Sequence, residues 1–375
     1  MKNITLALIL VTCSIAMVVG QRATPGSDVT TRAVAAADAF LGTLEPPKRL
    51  KANRALDDKT RIVWSNLPTG IAMQVGATER NGLKLGDMTP AQEKAALALV
   101  AATLSADGFT KAMAIVDADQ VLEVRSAPSR AAGAAIRFGR AEYYVSILGK
   151  PSTTDKWMLQ FGGHHLAINI TVAGRQNVLA PTHTGTQPAS YSVGGKTIRP
   201  LGDENDKAFA LINALNADQK KQATLSLEAR NLVLGPGEDG KTIAPEGVRV
   251  STFTPAQRAM LVSLVREWVD ILSAEAAAAK MTEIDTGLND TYFAWAGPTT
   301  NGQGAYFRIQ GPAVFIEYAP QGRVDGNTDH IHTIYREPAN DYAANALSRS
   351  AQLLLLMFGA ATLAALATLR QVVTA

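Results

Sequence analysis

The chain has 375 residues, 47% of them apolar and 18% charged, with a formal net charge of +3. That balance belongs to a globular protein with a sizeable core, built as one large domain or two ordinary ones. With so small a charge and no basic stripe interleaved with aromatics, nucleic-acid binding has no support.

The chain opens MKNITLALILVTCSIAMVVGQ, with Lys2 ahead of an apolar run and Val18-Val19-Gly20 offering small-residue cleavage before Gln21. This is the pattern of an export signal over residues 1–20, outside the fold. It predicts a periplasmic or extracellular protein. Cys13, the single cysteine, lies inside the signal. A lipoprotein reading of Leu10-Val11-Thr12-Cys13 is disfavoured, because Thr12 precedes the cysteine and the apolar stretch runs past it. The mature chain then has neither disulfides nor thiolate metal ligands and relies on its core alone. Residues 21–80 read as an N-terminal helical segment, in which EPPKRLKANRALDD (45–58) is charged and loop-like.

From residue 81 the sequence echoes itself. GLKLGDMTPAQ (82–92) matches GVRVSTFTPAQ (247–257) at the glycine, at the apolar-basic-apolar triplet and at Thr-Pro-Ala-Gln. In each copy the threonine suits a helix cap, proline fits the first helical position, and Gln92 or Gln257 can close a capping box. Helical stretches follow both. YYVSILGKPSTTDKWMLQFGGHHLAINITV (143–172) then resembles YFAWAGPTTNGQGAYFRIQGPAVFIEYAP (292–320): an aromatic strand, a turn, a strand ending at glycine, and a third strand. A fourth strand follows in NVLAPTHTG and in DHIHTIYRE. The expectation is an α+β fold made of a pseudo-symmetric duplicated unit, each copy a helix pair plus antiparallel strands, over residues 81–200 and 201–345.

Aligning Gly163 with Gly311 sets His164 opposite Pro312, Asn169 opposite Glu317, and His183-Thr184 opposite His332-Thr333. All five histidines then fall in equivalent hairpins. His330 and His332, two apart on a strand, share a face at a spacing suited to a metal. His164 and His165, read as strand residues, face opposite ways, with His164 on the core side; a break at Gly162-Gly163 would let both point inward. The metal-ligand candidates are His164, His165, Glu317, His330 and His332, a set that suits zinc, iron, copper or manganese. With an open position, zinc would activate water and iron or copper would bind oxygen. The alternatives are a metal-free acid-base or binding pocket and purely structural histidines. His183, following Pro181, is an outer candidate. Arg336 and Asp341 are the catalytic candidates. Arg336 could orient a carboxylate or grip an anionic substrate, and Asp341 could fix an imidazole tautomer. For both, the plainer reading is a salt bridge closing the last strand.

LQFGGHHLAINITV (159–172), GPAVFIEYAP (311–320) and HIHTIYREPANDY (330–342) resemble the family catalogued as domain of unknown function 3500. The resemblance runs from roughly residue 30 to 345. It implies importance for His164, His165, Glu317, His330, His332 and Arg336 without assigning them an activity, and it leaves the C-terminal tail aside.

Other motifs fail on context. GPGEDGKT (235–242) spells a phosphate loop, but Pro245 and Gly247 forbid the helix it requires, and Glu238 and Asp239 would repel phosphate. No cupin pattern, helical His-Glu-x-x-His or Gly-x-Ser-x-Gly elbow is present. At the far end AQLLLLMFGAATLAALATL (351–369) carries no charge and is long enough to cross a bilayer. It reads as a membrane anchor, a buried terminal helix or a sorting tail. The functional expectation is an exported metal-dependent enzyme, oxidative or hydrolytic, acting on a small molecule. Its rival is a non-catalytic protein holding a metal or an anionic ligand.

Overall fold

The computed structural model describes residues 29–70, 80–129, 136–174, 176–226, 231–321 and 328–345. The export signal and the membrane anchor expected at the two ends of the chain lie outside this set. Among the described residues no helix is long and apolar enough to cross a membrane.

The fold is mixed α+β. Its first part runs α1 (Val29–Gly42), α2 (Pro46–Ala52), β1 (Asn53–Arg54), α3 (Asp58–Arg61), β2 (Leu83–Lys84), α4 (Pro90–Thr103) and α5 (Ala106–Ser126). The strands β3 (Tyr144–Leu148), β4 (Trp157–Gly163), β5 (Leu166–Ala173), β6 (Gln176–Val178) and β7 (Thr182–Thr186) follow. A small hairpin, β8 (Tyr191–Val193) with β9 (Lys196–Ile198), leads to α6 (Gly202–Ala214), α7 (Ala217–Ala223), β10 (Val248–Arg249), α8 (Pro255–Val269) and α9 (Ala274–Thr286). The chain closes with β11 (Tyr292–Ala296), β12 (Tyr306–Gln310), β13 (Phe315–Pro320) and β14 (Ile331–Arg336).

The helix starts follow the sequence closely. Thr89 accepts the amide of Gln92 while the Gln92 side chain accepts the amide of Thr89, at 3.3 and 3.0 Å. Thr254 and Gln257 repeat the box at 3.3 and 2.9 Å. Pro90 and Pro255 take the first helical turn, where the missing N–H costs nothing. Each stretch then breaks into two helices. Ser105 caps α5 by accepting the amide of Gly108 at 2.8 Å. Part of the segment expected to be loop-like is helical instead: α2 begins at Pro46, again in the first turn. Residues 53–54 add a short strand parallel to β3.

The large sheet has the order β1-β3-β4-β5-β7-β14-β13-β12-β11-β10, with β2 also on β3 and β6 on β5. Outward from the central β7–β14 pair, each side continues through its own antiparallel strands to a two-residue strand. The pseudo-symmetric duplication itself stays an expectation drawn from the sequence echo. At the centre Thr184 lies opposite Thr333, their hydroxyls 2.7 Å apart, and Trp268 of α8 donates its indole N–H to Thr333 at 2.9 Å.

Alternation along the strands sorts the two faces. Val145, Leu159, Phe161, Ile168, Ile316, Phe307 and Tyr335 belong to one large apolar cluster shared with the helices. The other face carries polar groups, among them Gln160, Asn169, His183, Glu317 and Arg336, all buried. Buried polar groups need partners. Segments lying over this face supply them: Gln160 donates to the Arg61 carbonyl at 2.9 Å, and Arg336 and Glu317 bind the stretch that begins at Asn231.

Candidate metal centre

His164 and His165 are not strand residues. They form the two-residue turn between β4 and β5, whose last rung is the Gly163–Leu166 pair. The opposite-face reading from strand parity therefore does not apply. His165 adopts φ 64, a left-handed conformation uncommon for a residue with a side chain. Its amide donates to the Asn66 carbonyl at 3.1 Å. The preceding glycine has a steric role: a Cβ on Gly163 would lie 2.8 Å from the ring of Tyr143. The same tyrosine donates its hydroxyl to the His164 carbonyl at 2.6 Å. The turn stacks the two imidazoles, with centroids 3.6 Å apart and planes 30° apart.

The turn reaches the start of β14, where His330 and His332 project on one side as their spacing requires. His165 Nε2 lies 2.6 Å from His330 Nε2, and His330 Nε2 lies 3.2 Å from His332 Nε2. The ring of His183, on β7 beside β14, is 5.1 Å from that of His332 and nearly perpendicular to it. Close packing here depends on Gly185, opposite His332. A Cβ there would sit 3.1 and 3.2 Å from the Cδ2 atoms of His332 and His165.

Electrostatics keep His165, His183, His330 and His332 neutral. Burial first, then the neighbouring imidazoles, hold His165 and His332 well below the ordinary histidine value. Burial and the proximity of His164 push His330 down to about 4, and burial takes His183 to about 3. A neutral imidazole offers one lone pair, and the outer partners decide which nitrogen carries it. His164 Nδ1 is 2.6 Å from Asp119 Oδ1, so that nitrogen donates to the carboxylate. Asn231 Oδ1 already accepts the Leu232 amide at 2.8 Å. It lies 3.2 Å from His332 Nδ1, so His332 also carries its proton on Nδ1 and leaves Nε2 bare.

Imidazole nitrogens crowded together, with His164 and His332 each held from behind by an oxygen, make a donor set for a cation. Three close histidines, His164, His165 and His330, have ring nitrogens all within 4.8 Å of one another and could hold a metal ion. Ligands at 2.0–2.1 Å around a tetrahedral ion stand roughly 3.3 Å apart, close to the 3.2 Å between His330 and His332. His165 Nδ1 and both nitrogens of His183 have no hydrogen-bond partner although buried.

The remaining sequence candidates lie elsewhere. Glu317 does not join the histidines: one oxygen accepts the Val233 amide at 2.9 Å and the Tyr306 hydroxyl at 2.6 Å, and the other accepts the Leu234 amide at 2.7 Å. Arg336 donates from Nε to the Leu234 carbonyl at 2.8 Å and from Nη2 to that of Gly235 at 2.9 Å. Its Nη1 contacts Asp239 at 2.9 Å and Asp341 at 2.7 Å. Asp341 thus serves Arg336 and the Glu337 amide, the salt-bridge alternative, and holds no imidazole. Burial raises its pKa, against the pull of Arg336. Arg336, Asp341 and Tyr342 instead line a cleft of about 700 Å³ whose lining contains no histidine. The phosphate-loop look-alike forms turns at the edge of this cleft, and no helix follows it.

A family model described as "Protein of unknown function (DUF3500)" matches residues 27–344. The chain belongs to the DUF3500 family. No curated protein and no solved structure matches it.

Sequence reasoning missed two residues of this DUF3500 site, Asp119 and Asn231. Asp119 had a readable signal. It lies one turn beyond Ile115 and Val116 on the buried stripe of α5 and is itself buried, and an aspartate there demands a partner. Asn231 had none, since its contact spans 101 residues of irregular chain.

Proposed function

We propose that the DUF3500 chain is an exported metalloenzyme with a single ion held by histidine. The convergence of imidazole nitrogens from the β4–β5 turn and the start of β14 carries this reading. The donor set narrows the metal. With Glu317 bound to backbone amides, no carboxylate of the described residues joins the three clustered imidazoles as a ligand, and the two-histidine, one-carboxylate arrangement of non-haem iron lacks its third ligand there. An all-imidazole set suits zinc or copper. His330 is only half-buried, which makes its side the route for water and a small substrate.

With three histidines bound, a tetrahedral ion keeps one position for water or substrate. Zinc there supports hydrolysis, and copper supports oxidation by oxygen. The second reading is a metal carrier or store, favoured by the fourth imidazole, His332, which could close the coordination shell.

Elemental analysis of the purified full chain tests the metal. One equivalent of zinc or copper is expected in the wild type and well under a tenth of that in His165→Ala and His330→Ala. A wild type that retains neither metal, with unchanged content in the variants, would sink the reading. X-ray absorption at the metal edge counts ligands: three imidazoles plus one light oxygen support an enzyme, and four imidazoles support the carrier.

A further inference from the structure

Three residues singled out by sequence, Glu317, Arg336 and Asp341, are drawn into one device that does not touch the histidines. The strip Asn231–Gly235 crosses the polar face of the sheet without secondary structure of its own. Its backbone is gripped at nearly every step. Glu317, fully buried on β13, accepts the amides of Val233 and Leu234. Arg336, buried on the adjacent β14, donates to the carbonyls of Leu234 and Gly235. Asp341 and Asp239 hold Arg336 in turn. Tyr306 donates to Glu317 and sets its rotamer.

The strip's leading residue, Asn231, meets His332 Nδ1. Asn231 is exposed and lacks packing that would hold it there. A free strip would lose this contact to solvent, because ordering irregular chain costs conformational entropy at every residue. A buried carboxylate and a buried guanidinium spent on five residues of irregular chain make sense if the strip's position matters.

We infer that Glu317 and Arg336 are positioning residues that hold the strip so that Asn231 fixes His332 with its proton on Nδ1 and its Nε2 free for the metal. This rests on the metalloprotein reading. Asp119 does the same for His164 from α5, so the two ends of the histidine row are tethered by oxygens from opposite faces of the sheet.

The test is competition titration of the full chain with zinc(II) and copper(II), each against a chelating indicator. Asn231→Ala should weaken binding about 10- to 100-fold, the usual cost of removing a partner behind a ligating histidine. Asn231→Asp should restore it to within a few-fold of wild type, since a carboxylate also accepts from Nδ1. Glu317→Gln should weaken binding like Asn231→Ala, and the double variant should add little to either, as expected for residues acting through one contact. Wild-type affinity in Asn231→Ala, no rescue by Asn231→Asp, or additive effects of Asn231 and Glu317 would overturn the inference while leaving the metal reading intact. A wild type that takes up neither ion removes both. If Glu317→Gln does not fold by circular dichroism, the Asn231 pair decides.

Discussion

Two adjacent histidines behind two glycines form a turn, and this changes which neighbours they meet. Strand parity would send one ring to each face. A two-residue turn with φ 64 at His165 stacks them instead and brings His165 against His330, 165 residues away. Gly185 is where the smallest change should matter most. Its added methyl meets the Ile331 carbonyl at 2.8 Å as well as the two histidine rings. Gly185→Ala is expected to cost about 1–3 kcal/mol, as overpacking does, and to lower metal content by displacing the rings. Denaturant midpoints and metal analysis on the same preparation check both effects; a stable variant with full metal content would contradict the packing described. His330 and His332 were legible as a pair, because a spacing of two on a strand needs no tertiary information. Glu317 was misassigned because register places it on the right face of the sheet, but only the tertiary path of residues 233–234 shows what occupies its oxygens.

Among the elements, the helix starts were the most legible, since a capping box is complete within four residues. The junction of β7 with β14 was not, since their partnership spans about 150 residues. At that junction the Thr184–Thr333 hydroxyl pair accepts the indole N–H of Trp268, tying α8 to the centre of the sheet. Thr333→Val preserves shape but leaves the Trp268 N–H and the Thr184 hydroxyl buried without a partner. The expected cost is about 1–3 kcal/mol for each group stranded. Chemical denaturation should show the loss with metal uptake per folded molecule unchanged, because Thr333 faces the helices and not the histidines.

For the whole molecule, burying several imidazoles in one place carries a cost that depends on pH. In the unfolded chain these histidines take up protons below about 6.5; in the folded, metal-free protein His330 does so only near 4 and His183 near 3. Between those limits the unfolded state binds more protons, so stability rises with pH and falls as the pH is lowered from about 6.5 toward 4. Metal-free protein should therefore lose denaturant resistance across pH 6.5 to 5, and His183→Leu should flatten the slope. A wild-type midpoint that stays level over that interval would mean the rings are not held neutral as described.

The mixed helix-and-strand composition, the capped helix pairs, the strand endings and the shared face of His330 and His332 were all written in short-range pattern: capping, turn chemistry and alternation act over a few residues. The tertiary structure decided the rest. It made the His164–His165 pair a turn, set it against His330 and His332, supplied Asp119 and Asn231 as oxygens behind the rings, and turned Glu317 and Arg336 toward a strip of backbone. Each of those contacts joins segments far apart in the chain, where sequence spacing carries no distance and only sheet order and register do.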